Sequence, residues 1–569
     1  MTKDATKSSF GNIFIRDTRL RLGLASQKGT FIREATGLVR EVRAVDAWVF
    51  GVMAISLGTG IATTYTLGPA LFPGGSIPIA IGLFVILALF KDATYAQMGT
   101  AMPRSGSEYV FQARSLSSFA PWAVGNQISY NIMWQGTIYQ ALNGIMFASI
   151  GLAPLVIMLG TVTGNNSLIN FATWIGTPVG TYVIILLLSA GCIGIVALGI
   201  KFYMQKFQRV LFVVGMAQVF AVVAILATTS NATFISHFNS FSASYFGSSD
   251  AYHLVINEVS SLGVSTSFSW LDTLGLMAFV SFGLIWGHGI IANMGELKHA
   301  NNLKTYTWVF MGATVFTGVF AIVIGALLVH TMGSNFLTSI GYLSFNDPSK
   351  YPLPVSAFYT FLVSTLTNNI WLLLLINGGM IAWALQWATN NSLGYSRLAL
   401  ALAFDRILPA KFGDVDERFH TPYVSLIFFF IVGAVVFGAL VAFVGIATAL
   451  IAATVAQIFN FATTGLAAMV FPYTKKQMYE QSPGAKWKIG SVPLIVITGA
   501  VTLAVQVMFL GAFFAIPGVG LSLTPSSIVP ISVVFGILAG GIVYYVVMAR
   551  YQLSKGINVK MLFNEIPPE

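Results

Sequence analysis

Ser56-Leu57-Gly58-Thr59-Gly60-Ile61 lies in the middle of the first long apolar run of the chain, from about Asp46 to Leu67. An ordinary membrane helix avoids glycine pairs there, and we read the stretch as an interruption of the helix. Gly58 and Gly60 carry no side chain to keep a ligand from the backbone, and an unwound turn leaves N–H groups unpaired at the start of the second half-helix. Such groups form an anion site. In hydrocarbon each unpaired group costs several kcal/mol, so the break makes sense only facing a cavity or a ligand. The same small-residue pattern also packs two helices closely against each other. Alone, the stretch leaves both readings open.

The surrounding chain has 569 residues, 56% hydrophobic and only 8% charged, with a mean hydropathy of +0.79. No soluble domain of this size has such a composition, and the sequence reads as an all-α polytopic membrane protein. Apolar stretches of spanning length fall near 46–69, 77–100, 119–150, 178–200, 207–229, 272–294, 305–330, 368–393, 423–443, 445–470, 490–515 and 528–549, which makes twelve transmembrane helices. Residues 1–45 are basic, lack the apolar core of a signal peptide and read as an uncleaved cytoplasmic segment. Threading the spans from there sends every other loop to the cytoplasm, and all of the 29 Lys and Arg except Lys91 and Lys350 fall on that side. The net charge of +10 therefore reports orientation in a cell membrane, with both termini cytoplasmic and lipid headgroups as contacts, and gives no reason to invoke nucleic acid. The single cysteine, Cys192, lies within the fourth span, which excludes a disulfide framework and a cysteine metal site.

Lys91 and Asp92 follow the apolar run from Ile79 to Phe90. Near the bilayer centre each costs roughly 2.5–3.5 kcal/mol, so both must face protein or water. Neighbouring helical residues point about 100° apart, so each is expected to need its own partner and not the other. They read as a proton or ion relay, or as a buried pair that fixes packing. The sixth span repeats the opening feature with Trp286-Gly287-His288-Gly289. Two interruptions in corresponding positions mark an inverted repeat whose binding site lies at the membrane midplane. Five helices per repeat give 46–229 and 272–470, with an extracellular loop at 230–271 between them, two appended helices in 471–549 and a cytoplasmic tail at 550–569. His288, inside the second break, titrates near neutrality, so it suits reading a substrate carboxylate or carrying a proton. In the third span Tyr130 and Trp134 share one face and Gln127 and Asn131 another. One such face lines a cavity or bonds a neighbouring helix.

After the second span comes Ala101-Met102-Pro103-Arg104-Ser105-Gly106-Ser107-Glu108-Tyr109, and Gly295-Glu296-Leu297-Lys298 closes the sixth. Ser396-Arg397, Asp405, Leu408-Pro409, Arg418 and Thr421-Pro422 follow the eighth. Together with the Gly58-Thr59-Gly60 break, these stretches resemble the amino acid, polyamine and organocation superfamily over residues 37 to about 550. Ser107 in place of a second glycine, His299-Ala300 in place of Asn-Pro, and Lys91-Asp92 at an apolar position depart from the pattern. The resemblance implies a leucine-transporter-like fold with broken helices one and six. The first break, with Ser56 in the substrate site, is expected to hold a substrate carboxylate on the N–H groups near Thr59, Gly60 and Ile61, and carbonyls freed at Trp286 and Gly287 are expected to take its ammonium group, as the resemblance also implies. In one proton-coupled branch a lysine of helix five stands in for a sodium ion, and here Gly215 falls at that place. Lys91 or His288 is then the proton carrier, or a sodium ion, the one cofactor-like group expected, sits between helices one and eight on Thr389, Asn390 and Ser392. Arg104, Glu296 and Arg397 are candidates for an inner gate, though each singly also reads as interfacial charge.

No catalytic motif of zinc-protease, serine-hydrolase or phosphate-loop type is present, so an enzyme is not expected. The expected function is a secondary active permease that moves amino acids by alternating access with proton or sodium coupling. The alternatives are a permease for amines, polyamines or nucleobases, and an amino acid sensor that does not transport. Polyamines want several cavity acids, where the spans offer only Asp92 clearly.

Overall fold

In hydrocarbon every backbone N–H and C=O must find its partner inside the protein, so long apolar runs close into helices. The computed structural model describes residues 37–444, 446–515 and 528–566. Most of the basic amino-terminal segment, residues 1–36, and the last three residues of the tail lie outside the described residues. Among those described, twelve helices are long and apolar enough to cross a membrane: Ala44–Leu71, Ile77–Ala101, Ser117–Thr163, Pro178–Ala197, Ile200–Thr228, Trp270–Glu296, Leu303–Met332, Ile370–Phe404, Tyr423–Ala442, Ala453–Thr474, Leu494–Ala515 and Ile531–Ser554. The protein is an all-α membrane protein. Its small sheet, Lys488–Ile489 against Val492–Pro493, lies between the tenth and eleventh spans.

Burial sorts the spans. The first and sixth each bury 83% of their most apolar stretch and the twelfth only 22%, so the first two form the centre and the last turns most of its surface outward. The first span packs on the sixth and seventh, the second on the sixth and seventh, and the fifth on the eighth. The third packs on the eighth, ninth and tenth, the fourth on the eighth and ninth, the eleventh on the tenth and second, and the twelfth on the third.

The first and sixth spans leave regular α-helix where they cross each other. The α-helix Ala44–Ile55 stops at Ser56, whose φ of 57° lies in the left-handed region, and helix resumes over Thr59–Leu71. In the sixth span α-helix runs from Trp270 to Leu284 and continues as a tighter 3₁₀ segment over Ile285–Glu296, with non-helical backbone at Trp286 and Asn293. The two spans cross on small residues. A Cβ on Gly283 would come 2.7 Å from the Gly60 oxygen, one on Gly51 2.5 Å from the Gly287 oxygen, and one on Gly289 2.7 Å from the Ala54 Cβ. The close-packing use of these glycines is therefore realised, alongside the irregular backbone.

Two segments differ from their sequence reading. The third span is longer than expected, Ser117–Thr163, with π-helical stretches at Ile128–Ile138 and Phe147–Leu152. The segment 230–271, expected as a loop, carries helices Asn231–Phe246 and Ala251–Ser261. Phe234 and Phe238, one turn apart, pack edge-on against Phe336 of the helix Ser334–Asn346, so the aromatic content of the segment anchors it to the rest of the protein.

Candidate functional site

A cavity of about 50 Å³ opens where the irregular part of the sixth span meets the first, third and eighth. That is space for a few water molecules. Phe50 and Ala54 line it from the first span, Trp286, His288 and Gly289 from the sixth, Asn131 and Tyr139 from the third, and Trp387, Asn390 and Tyr395 from the eighth. Glu108, in the helix Ser107–Ser115 that leads into the third span, completes the wall.

Behind the cavity lies a buried charged set. Lys91 Nζ is 2.5 Å from Asp92 Oδ1, and both side chains are buried. This corrects the expectation that the two neighbours do not pair: the Cβ directions diverge, but a four-carbon lysine stem is long and flexible enough to bring its ammonium to the neighbouring carboxylate. Each has further partners. Asp92 Oδ2 accepts from Thr314 Oγ1 at 2.5 Å. The Lys91 ammonium donates to the Ile285 carbonyl and lies 2.6 Å from His288 Nδ1. With Lys91 protonated, His288 Nδ1 accepts from it and the neutral ring carries its proton on Nε2; Nδ1 also lies 3.1 Å from the Ile285 carbonyl, which a ring protonated at Nδ1 would bond instead. Nε2 lies 3.9 Å from Glu108 Oε1. The His288 ring is held between Tyr95, centroids 3.9 Å apart, and Phe461 at 5.4 Å. The four groups thus run from Thr314 on the seventh span to the cavity wall.

The remaining expected residues fall in three places. Ser56, Gly58, Thr59, Gly60 and Ile61 are buried beside the cavity and do not line it. Their turn is capped internally, with Thr59 N donating to Ser56 Oγ at 3.0 Å and Ile61 N to Ser56 O at 3.1 Å. Gly58 lies under Trp383, where a Cβ would come 2.5 Å from the indole. The same indole covers Gly215 of the fifth span and donates from Nε1 to Gln218 Oε1 at 3.1 Å. Gly287 faces Thr314 and Asp92 and not the cavity. Tyr130 and Trp134 line a separate, smaller cavity with Val534 and Leu538 of the twelfth span.

Thr389 and Asn390, expected to supply oxygens toward the first span, instead meet Tyr203 of the fifth. Thr389 Oγ1 is 3.1 Å from its hydroxyl, which also bonds Asn390 Oδ1. Gln386 Nε2 donates to the same Asn390 oxygen at 2.8 Å. Ser392 Oγ donates to the Ala388 carbonyl at 3.2 Å. Of the gate candidates, Glu296 and Arg397 form a fully buried two-pronged pair, Nε to Oε2 and Nη2 to Oε1, both 3.1 Å. Arg104 stays half-buried, with Nη1 donating to the Pro103 carbonyl at 3.1 Å. Among the described residues no three His, Cys, Asp or Glu side chains converge on a metal position.

The sequence reading missed Glu108, Trp383 and Tyr203. Glu108 stands in a short connecting helix outside any apolar run, and only the folding of that helix under the sixth span brings it to His288.

Comparison with known proteins follows the same line. The model of a family described as amino acid permease matches residues 44–551. A branched-chain amino acid permease, BcaP, of Bacillus subtilis (strain 168) is 27% identical over 161 residues, 26% of this chain. The alignment spans 33% of the relative's own length.

Proposed function

Because the chain belongs to the amino acid permease family over residues 44–551, we propose that it is a secondary transporter that carries amino acids across a membrane by alternating access, driven by protons. The observation that carries the reading is the buried set of Lys91, Asp92 and His288 opening on the cavity beside the irregular backbone of the sixth span. Buried ionisable groups inside a membrane are costly, and proton relays are among their commonest uses. Substrate enters the cavity, and the neighbouring histidine exchanges a proton with Lys91 as the surroundings change polarity. Sodium coupling is the weaker reading, since the Asn390 and Thr389 oxygens are engaged by Tyr203 and Gln386.

The proposed architecture is an inverted repeat of five helices plus five, with helices one and six broken and two appended. The pairing of the spans supports it, because advancing each partner by five maps the pattern onto itself. One with seven becomes six with two, four with eight becomes nine with three, and five with eight becomes ten with three, and all six pairs pack. The pair Glu296–Arg397 is the proposed inner gate, closed in this state. An amine or polyamine permease is the second reading, and Glu108 in the cavity wall favours it more than the spans alone did.

Uptake of a labelled amino acid mixture into proteoliposomes, with proton and sodium gradients imposed separately, tests the proposal. Acid outside is expected to drive accumulation in the absence of sodium. Accumulation only under a sodium gradient would overturn the proton assignment, and no uptake of any amino acid by folded protein would overturn the transporter reading.

A further inference from the structure

Glu108 is the acid of the cavity that the coupling set leaves unmatched. Asp92 answers the Lys91 charge at 2.5 Å, and neutral His288 keeps its Nε2 3.9 Å from Glu108, beyond a hydrogen bond. The Glu108 carboxyl accepts three bonds from three spans: Tyr95 OH at 2.6 Å on Oε1, and Asn460 Nδ2 at 3.1 Å and Asn131 Nδ2 at 3.3 Å on Oε2. Neither amide is free to turn its oxygen inward. Asn460 Oδ1 accepts from Gln127 Nε2 at 2.7 Å and Gln112 Nε2 at 3.1 Å, and Asn131 Nδ2 also donates to Gln127 Oε1 at 2.5 Å. An amide nitrogen cannot accept a carboxyl proton, so Oε2 is surrounded for the ionised form, and the Tyr95 hydroxyl, which also reaches Thr464 Oγ1 at 3.3 Å, is the one partner able to turn and accept a proton from Oε1.

Neutral donors reduce the cost of a buried carboxylate without supplying its countercharge. The cavity supplies the room for one. Its wall carries the rings of Trp286, Trp387, Tyr139 and Tyr395 together with the amides of Asn131, Asn390 and Asn391, and aromatic rings sharing a cavity with a carboxylate recognise an organic cation. We propose that Glu108 is the counter-ion of the substrate's ammonium group, so that the cavity selects for a protonated amine whatever else the substrate carries. The inference rests on the cavity being the transport site. It moves the ammonium partner from the Trp286 and Gly287 carbonyls to a side chain.

Ligand-induced thermal stabilisation of the purified full chain in detergent tests it, probed with the twenty common amino acids, their decarboxylated amines and their desamino carboxylic acids. The expected result is that an amino acid stabilises the protein, its amine competes with it, and its desamino acid does not. Glu108→Gln is expected to weaken binding at least tenfold, with Glu108→Asp between. If Glu108→Gln does not fold, the comparison of amine with desamino acid on the unmodified protein decides. Unchanged affinity in folded Glu108→Gln, or a desamino acid that binds as well as the amino acid, overturns the assignment and leaves the transporter reading standing. Binding of amines without any amino acid keeps Glu108 in its role and removes the amino acid reading. Binding of neither class overturns both.

Discussion

Arg397 and Glu296 show how little freedom a buried charge has at the level of single residues. Both are wholly buried, and Asn293 Nδ2 adds a bond to Glu296 Oε2 at 2.9 Å. Removing one partner leaves the other uncompensated, which costs about 3–5 kcal/mol, whereas replacing both with well-packed neutral side chains is often close to neutral. Arg397→Ala is therefore expected to lower the thermal midpoint in detergent sharply, and the double change Arg397→Met with Glu296→Gln to recover most of the loss. A double variant no more stable than Arg397→Ala would mean that the site tolerates no neutral pair. The sequence announced the buried charges themselves, because Lys91 and Asp92 interrupt an apolar run and His288 sits between two glycines. It did not announce their partners. Lys91 reaches Asp92 through the flexibility of its stem, and Glu108 reaches the cavity through tertiary folding, neither of which leaves a mark in spacing. Trp383, which fills the space between Gly58 and Gly215, is one apolar residue among many in the eighth span until its contacts are seen.

Elements were legible where periodicity carries information and obscure where everything is apolar. Twelve runs gave twelve spans, but the π-helical stretches Ile128–Ile138 and Phe147–Leu152 shift which face turns inward, so Tyr130 and Trp134 met the twelfth span while Asn131 and Tyr139 met the cavity. Gly60, read both as an opening for ligand and as a packing residue, serves as the crossing point with Gly283. One short element could not have been read at all. Val42 forms a parallel bridge with Leu297, in which Val42 N donates to Glu296 O at 3.1 Å and Lys298 N to Val42 O at 2.8 Å. This strap joins the chain just before the first span to the end of the sixth, next to the Glu296–Arg397 pair. Val42→Pro removes the first of the two N–H groups and leaves a buried carbonyl unpaired, a net loss of about 0.5–1.5 kcal/mol or more. Hydrogen–deuterium exchange over residues 294–300 is expected to rise by roughly tenfold, while Val42→Ala, which keeps the N–H, leaves it nearly unchanged. Equal protection in both variants would show that the sixth span ends firmly without the strap.

At the scale of the whole molecule, the asymmetry of charge makes a claim about orientation that the fold alone does not. All of the 29 Lys and Arg except Lys91 and Lys350 belong to one side of the threading, and Lys91 is neutralised inside by Asp92. Lys350 is the real exception. Its ammonium is paired with Glu258 of the helix Ala251–Ser261, and that bond holds its pKa above the ordinary lysine range, so it carries charge at neutral pH beside an opposite one. A lone, paired lysine weighs little against the many Lys and Arg that the threading places on the opposite side. The orientation can be read directly, because the single native cysteine, Cys192, is buried and can be removed as Cys192→Ala without touching the cavity. In that background Lys350→Cys and Lys488→Cys place exposed thiols at opposite ends. A membrane-impermeant maleimide is expected to label the first on intact cells and the second only after permeabilisation. The opposite pattern would invert the protein in the membrane and put the loop that carries Lys350 on the cytoplasmic face, so that the charge asymmetry would run against the positive-inside rule.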